Sequence, residues 1–139
     1  MPFKWYIALG LKMEYIAYEG KKFIIEWYFD EKSYSEALEY FESLSEGAQD
    51  KLFYLLKRMG DFGVISDKTK FRFEGDSIYA FKPQPHRFLC FFMKGKKIII
   101  TNGFYKKTDK LPRDEKNKSV KYMENYIKRI SEDSYYEDN

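Results

Sequence analysis

The spacing of apolar and polar residues along this chain changes period several times, and each change predicts an element. Aromatic and β-branched residues crowd three early runs, at 3–9, 13–18 and 23–29, punctuated by Gly10 and by Glu19-Gly20-Lys21-Lys22. Runs of this kind between turn-forming residues favour strands. The third, Phe-Ile-Ile-Glu-Trp-Tyr-Phe, is the strongest and is assigned to the main sheet. Helix competes over residues 4–18, where Trp5, Leu9 and Ile16 fall near helical spacing.

The period then lengthens. Ser33-Tyr34-Ser35-Glu36 has the form of a capping box, with the Ser33 hydroxyl accepting from the backbone and Glu36 reaching back. Tyr34, Ala37, Leu38, Phe41 and Leu44 share one face of the helix that follows. Ser45 is the expected N-cap of a second helix with Leu52, Leu55, Leu56 and Met59 in one stripe. Gly60 is the expected stop, with Lys57 and Arg58 in the last turn against the negative end of the dipole. The short connection predicts a helical hairpin lying on one sheet face.

A loop over 61–69 leads to short strands at 71–74 and 78–82. Pro83 and Pro85 supply no ladder donors, so the chain turns there. Strands at 87–93 and 97–101 form a hairpin around Gly95, and Asn102-Gly103-Phe104-Tyr105 is expected as a loop leaving it. Pro112-Arg113-Asp114-Glu115 opens a last helix with Val120, Met123, Ile127 and Ile130 on its apolar face, ending near Ser131. Strand, two helices, a run of strands and a helix make an α+β fold rather than an alternating one. The expected architecture is an antiparallel sheet packed against an N-terminal helical hairpin, with a C-terminal helix.

With 139 residues the chain is expected to form one domain, with 1–21 as an N-terminal extension, 22–131 as the core and 132–139 as an acidic, fraying tail. One cysteine leaves no intramolecular disulfide, and one histidine argues against a zinc site, so no metal or cofactor is expected. No apolar run reaches the roughly 20 residues that span a bilayer. The first residues lack a long apolar core and make a poor secretory signal, so a cytoplasmic protein without membrane association is expected.

The net charge of +3 conceals three blocks. Residues 1–81 carry 11 Lys/Arg against 14 Asp/Glu, residues 82–121 carry 12 against 3, and residues 122–139 carry 2 against 5. The middle block is the footprint of a polyanion site, with an acidic protein partner as the blander alternative. Lys82, Arg87, Lys106 and Lys107 converge if the strands pair as expected, and they suit the stabilisation of phosphate charge. Solvation of a strand edge, or contact with RNA phosphates that only orients the chain, is the competing reading for some of them. His86 is the side chain with an ordinary pKa near neutrality, to be weighed as a proton-transfer group against a surface residue at a turn. Tyr105 suits base stacking or plain packing. Lys68, Lys70, Lys110 and Arg113 extend the basic track for RNA, and Cys90 reads as a core residue.

Ile78-Tyr79-Ala80-Phe81-Lys82, Arg87-Phe88-Leu89, Gly103-Phe104-Tyr105-Lys106-Lys107-Thr108 and Lys110-x-Pro112 follow one another in order. This series resembles the RelE/HigB superfamily of type II toxin–antitoxin toxins, and in particular its phage-derived branch, over about residues 22–130. The resemblance implies a RelE-like fold and a toxin that cleaves mRNA in the ribosomal A site by metal-free attack of a 2′-hydroxyl. It also implies a cognate antitoxin, often a helix-turn-helix protein, as partner alongside mRNA and the ribosome. The family's two strand arginines fall on Lys82 and Arg87, its tyrosine before the second on His86, and its basic pair on Lys106 and Lys107. Lys82 keeps the charge but not the two-pronged fork of an arginine, and Asn102 replaces the family's histidine. A catalytically degenerate member that binds RNA or a partner is the alternative.

Overall fold

The computed structural model describes residues 15–136. Its elements run β1 (Ile16–Glu19), β2 (Ile24–Trp27), α1 (Glu36–Glu42), α2 (Glu46–Phe62), β3 (Phe71–Gly75), β4 (Ile78–Phe81), β5 (His86–Met93), β6 (Lys97–Tyr105) and α3 (Arg113–Ser131). The expected α+β order is met. The expected strand at 3–9 and the start of the 13–18 run lie outside the described residues.

The six strands form one sheet in the order β1-β2-β6-β5-β4-β3. It is mixed, not wholly antiparallel as expected: β2 lies parallel to β6, with Ile24 opposite Lys97 and Trp27 opposite Ile100. The two helices between β2 and β3 carry the chain across one face, which makes a parallel neighbour feasible. All other neighbours are antiparallel.

Each strand sends alternate side chains to opposite faces. Ile25, Trp27, Phe81, Phe88, Cys90, Ile98 and Ile100 pack with Leu38 of α1 and Leu52, Leu55, Leu56 and Met59 of α2. Ile78, Ala80, Leu89, Phe91 and Ile99 pack on the other face, under Tyr126 of α3. Cys90 is buried as expected, and its fully enclosed thiol is shifted up by desolvation.

The helix ends depart from expectation in two places. Ser35, not Ser33, caps α1: its hydroxyl accepts from the Leu38 amide at 3.2 Å, while Ser33 takes a left-handed turn conformation. Helix α2 begins at the expected Ser45 cap but runs through Gly60 and stops at Gly63, whose φ is +81°. Gly60 serves close approach instead. Its carbonyl accepts from the amides of Lys22 and Phe23 at 2.6 and 2.9 Å, and a Cβ there would stand 2.7 Å from the Tyr18 ring. Lys57 and Arg58 consequently sit before the last turn.

On α3 the buried face is Ser119, Tyr126 and the half-buried Tyr122, Met123 and Ile130, whereas Ile127 is exposed. The segment after α3 does not fray before residue 136. Tyr135 is 2% exposed, and its hydroxyl oxygen accepts from the Phe29 amide at 2.8 Å. Tyr136 donates to the buried Glu26 carboxylate at 2.5 Å and pairs with the Tyr126 hydroxyl at 2.8 Å.

Candidate nucleic-acid interface

The position of the basic residues follows from one irregularity in β6. Leu89 lies opposite Asn102 and Cys90 opposite Ile100, so Thr101 is an extra residue without a partner. Such a bulge shifts the alternation of everything beyond it. Thr101 and Asn102 both turn toward α3. The Thr101 hydroxyl bonds with that of Ser119 at 2.6 Å, and the Asn102 amide donates to the Glu115 carboxylate at 3.0 Å. Downstream, Gly103 faces the helical hairpin, where a Cβ would lie 2.8 Å from both Phe88 and Tyr40. Phe104 therefore joins the α3 face, Tyr105 the hairpin face, and Lys106 the α3 face again. The expected loop over Asn102–Tyr105 is thus the second half of a nine-residue strand.

On the α3 face, where the N-terminal turns of α3 and the chain leading into it rise from the sheet, lies a cleft of about 840 Å³. Lys82, Arg87, Lys106, Lys107, Lys110 and Arg113 all line it. Sequence reasoning missed Arg72, Glu74 and Lys116, which line it too. The signal for the first two was available: in a hairpin paired as Arg72 opposite Ala80, the even positions of β3 and β4 share the face that carries Lys82.

Two ion pairs reduce the positive charge of the cleft. Lys106 meets Asp109 at 2.8 Å and Lys116 meets Asp76 at 3.0 Å. Among the described residues, no carboxylate lies within 4 Å of Arg72, Lys82, Arg87, Lys107, Lys110 or Arg113. Glu74 is a half-buried carboxylate that likewise has no ion pair at that distance. Arg87 is 8% exposed and aimed by hydrogen bonds from Nη1 to the His86 carbonyl (2.9 Å) and Gln84 Oε1 (3.2 Å). Lys82 Nζ donates to the Lys68 carbonyl at 3.2 Å. Burial lowers the pKa of Lys82, and neighbouring Arg87, Arg72 and Lys106 push the same way against the opposing field of Glu74. Burial also lowers that of Arg87. An anion entering this cleft relieves both strains.

His86 and Tyr105 are not in the cleft. Neighbouring residues on a strand point to opposite faces, so Arg87 takes the α3 side and His86 the hairpin side. There His86 Nδ1 meets the Tyr40 hydroxyl at 2.6 Å, and its ring packs edge-on against exposed Tyr105. Desolvation raises the Tyr40 pKa. Burial, and then Lys51, lower the pKa of His86. Both effects favour the uncharged imidazole. Lys70 is on the hairpin side as well, and Lys68 is exposed in the loop before β3. Asn102 is fully buried beneath α3, so the family's histidine position is a strut here rather than a cleft group.

Fold and cleft together define a small α+β domain that gathers cations, with one unpaired carboxylate, at one end of a sheet. The chain belongs to the Gp49-like family of phage-derived proteins (DUF891), whose family model matches residues 39–124, from α1 through most of α3. That family is RelE-like and associated with toxin–antitoxin systems. No curated protein matches the sequence significantly. Among the described residues, no helix is long and apolar enough to cross a membrane.

Proposed function

We propose that this protein is the toxin of a toxin–antitoxin pair and that it cuts mRNA on the ribosome, with the α3-face cleft as the site of cleavage. The observation that carries the reading is the convergence of Lys82, Arg87, Lys106, Lys107, Lys110 and Arg113 on one cleft, from the end of β4, the start of β5 and the stretch from the end of β6 to the start of α3. Membership of a family associated with toxin–antitoxin systems supports this reading, in which an antitoxin, expected to be a small helix-turn-helix protein, is the neutralising partner.

The chemistry is transfer of a phosphoryl group within the strand. The 2′-oxygen attacks the adjacent phosphorus, the bond to the 5′-oxygen breaks, and the products are a 2′,3′-cyclic phosphate and a 5′-hydroxyl. The 2′-proton needs an acceptor, for which Glu74 is the cleft carboxylate not already paired with a cation. Lys82, whose ammonium is made more acidic by burial, supplies a proton to the leaving oxygen. Arg87, Lys106 and Lys107 stabilise the charge that builds on the phosphorane.

Induction of the wild-type protein should arrest growth and create new mRNA 5′-hydroxyl ends. The double variant Lys106→Ala/Lys107→Ala should abolish those ends and restore growth at equal expression. Arrest that persists in the double variant refutes the site. A second reading, a member that holds RNA without cutting it, is favoured by the placement of His86, which leaves the cleft without an imidazole. Ribosome binding without new mRNA ends would establish it.

A further inference from the structure

The turn between β4 and β5 is a low wall with the cleft on one side and a second depression, of about 560 Å³, on the other. Lys82 faces the cleft, while Pro83 and Gln84 line the depression. The wall is braced from both sides. Gln84 donates to the Thr69 carbonyl at 3.3 Å and accepts from Arg87, and its own carbonyl accepts from Lys51 Nζ at 3.4 Å. The two hollows therefore meet at this turn: the consecutive residues Lys82 and Pro83 line one and the other, and the Gln84–Arg87 hydrogen bond joins their linings.

The depression has an apolar floor and a cationic margin. Leu55, Ile65 and Pro83 form the floor, Tyr54 stands beside it 60% exposed, and Lys51, Arg58 and Lys70 surround it. Its two carboxylates are Asp50 and Asp67. Asp67 is occupied by the Thr69 amide and hydroxyl at 2.9 and 2.7 Å, and these bonds hold its pKa below the ordinary value. An open aromatic face over an apolar floor, with three cations around it, is the chemistry that receives an unstacked base and its flanking phosphates.

Resting on the reading of the cleft as an RNA site, we propose that this depression is a nucleotide subsite for the same single strand. The strand leaves the cleft over the Pro83–Pro85 turn, stacks a base on Tyr54 and lays its phosphates along Lys51, Arg58 and Lys70. The residues that bind it are exposed and lie outside the core, so they can be changed without unfolding the domain.

The test measures binding of fluorescein-labelled, cleavage-resistant 2′-O-methyl oligouridylates of three and twelve residues by anisotropy at several salt concentrations. Four proteins are compared: wild type, Tyr54→Ala, Lys51→Ala/Arg58→Ala/Lys70→Ala, and Lys106→Ala/Lys107→Ala. Tyr54→Ala should weaken the twelve-residue strand about tenfold and leave the three-residue strand unchanged. The triple variant should weaken the longer strand and flatten its log K against log salt slope by about two. The cleft variant should weaken both strands. If the longer strand binds Tyr54→Ala and the triple variant as it binds wild type, while the cleft variant fails, the subsite is refuted and the cleft stands. If the triple variant alone weakens binding and Tyr54→Ala does not, the base-stacking subsite is likewise refuted. If no variant alters binding of either strand, the RNA reading of the cleft falls as well.

Discussion

The two ends of the sheet face beneath α3 are built on opposite rules. At the end where α3 finishes, polar groups are buried and paired. Glu26 accepts from Tyr136 and lies 3.5 Å from Lys97, Tyr28 donates to Asn125, and Arg129 donates to the Phe29 carbonyl while its guanidinium covers Tyr135. At the end where α3 begins, the sheet is left open and the charges are mostly of one sign with few partners. A satisfied polar network fixes one arrangement, whereas like charges without counter-ions cost stability and await a ligand. The contrast separates residues that hold the domain together from residues of the proposed site.

The comparison breaks first if the tail is only decoration. Tyr135→Ala removes a buried aromatic ring together with the hydroxyl that accepts from the Phe29 amide, so chemical denaturation should show a loss of about 3–5 kcal/mol. A loss under ~1 kcal/mol would mean that the closed end is not structurally important. Next, Gly60→Ala should lower stability by about 1–3 kcal/mol, since its methyl meets the Tyr18 ring. Unchanged stability would show that β1 and β2 tolerate displacement from α2. Asn102→Ala should cost a similar ~1–3 kcal/mol, by leaving the Thr101–Glu115 network unsatisfied, without changing the charge of the cleft. A variant that keeps wild-type stability but loses RNA binding would instead move Asn102 into the site.

The smallest expected effect is on pH dependence. The folded protein lowers the pKa of His86, so folding favours its neutral form. That contribution is complete above the unfolded value, near 6.5, and is lost progressively as the pH falls through the folded value. His86→Gln should flatten this acid-side slope while leaving the cleft's affinity for RNA unchanged. A matching loss of affinity would place His86 in the working end after all.

Much of this contrast was legible in the sequence, and its gaps have physical causes. The Ser45 cap, the α2 stripe and the alternation of β5 are local signals, and each marks a real element. The basic block located the cleft because charge clustered along the chain also clusters in space when adjacent strands pair. The parallel pairing of β2 with β6 was not readable, since periodicity records which face a residue takes and not which strand lies beside it. Assigning His86 to the same site as Arg87 neglected the two-residue period itself. The burial of Tyr135 is hidden in the sequence because four acids flank the two tyrosines and give the segment a solvated composition. The role of Gly60 is hidden because a sequence does not show what approaches a residue from outside its own helix.

The pairing of β2 with β6 also sets a timetable. Ile24 finds its parallel neighbour only when Lys97 exists, and Arg87 finds its cross-strand partner only with Phe104. Pairings between strands far apart in sequence, as β2 with β6, are slow to form compared with local contacts. A nascent chain therefore holds its helical hairpin and early strands well before it holds a cleft. Any product of interrupted synthesis that ends before β6 lacks Lys106, Lys107, Lys110 and Arg113, so the proposed activity is confined to molecules that have passed that point.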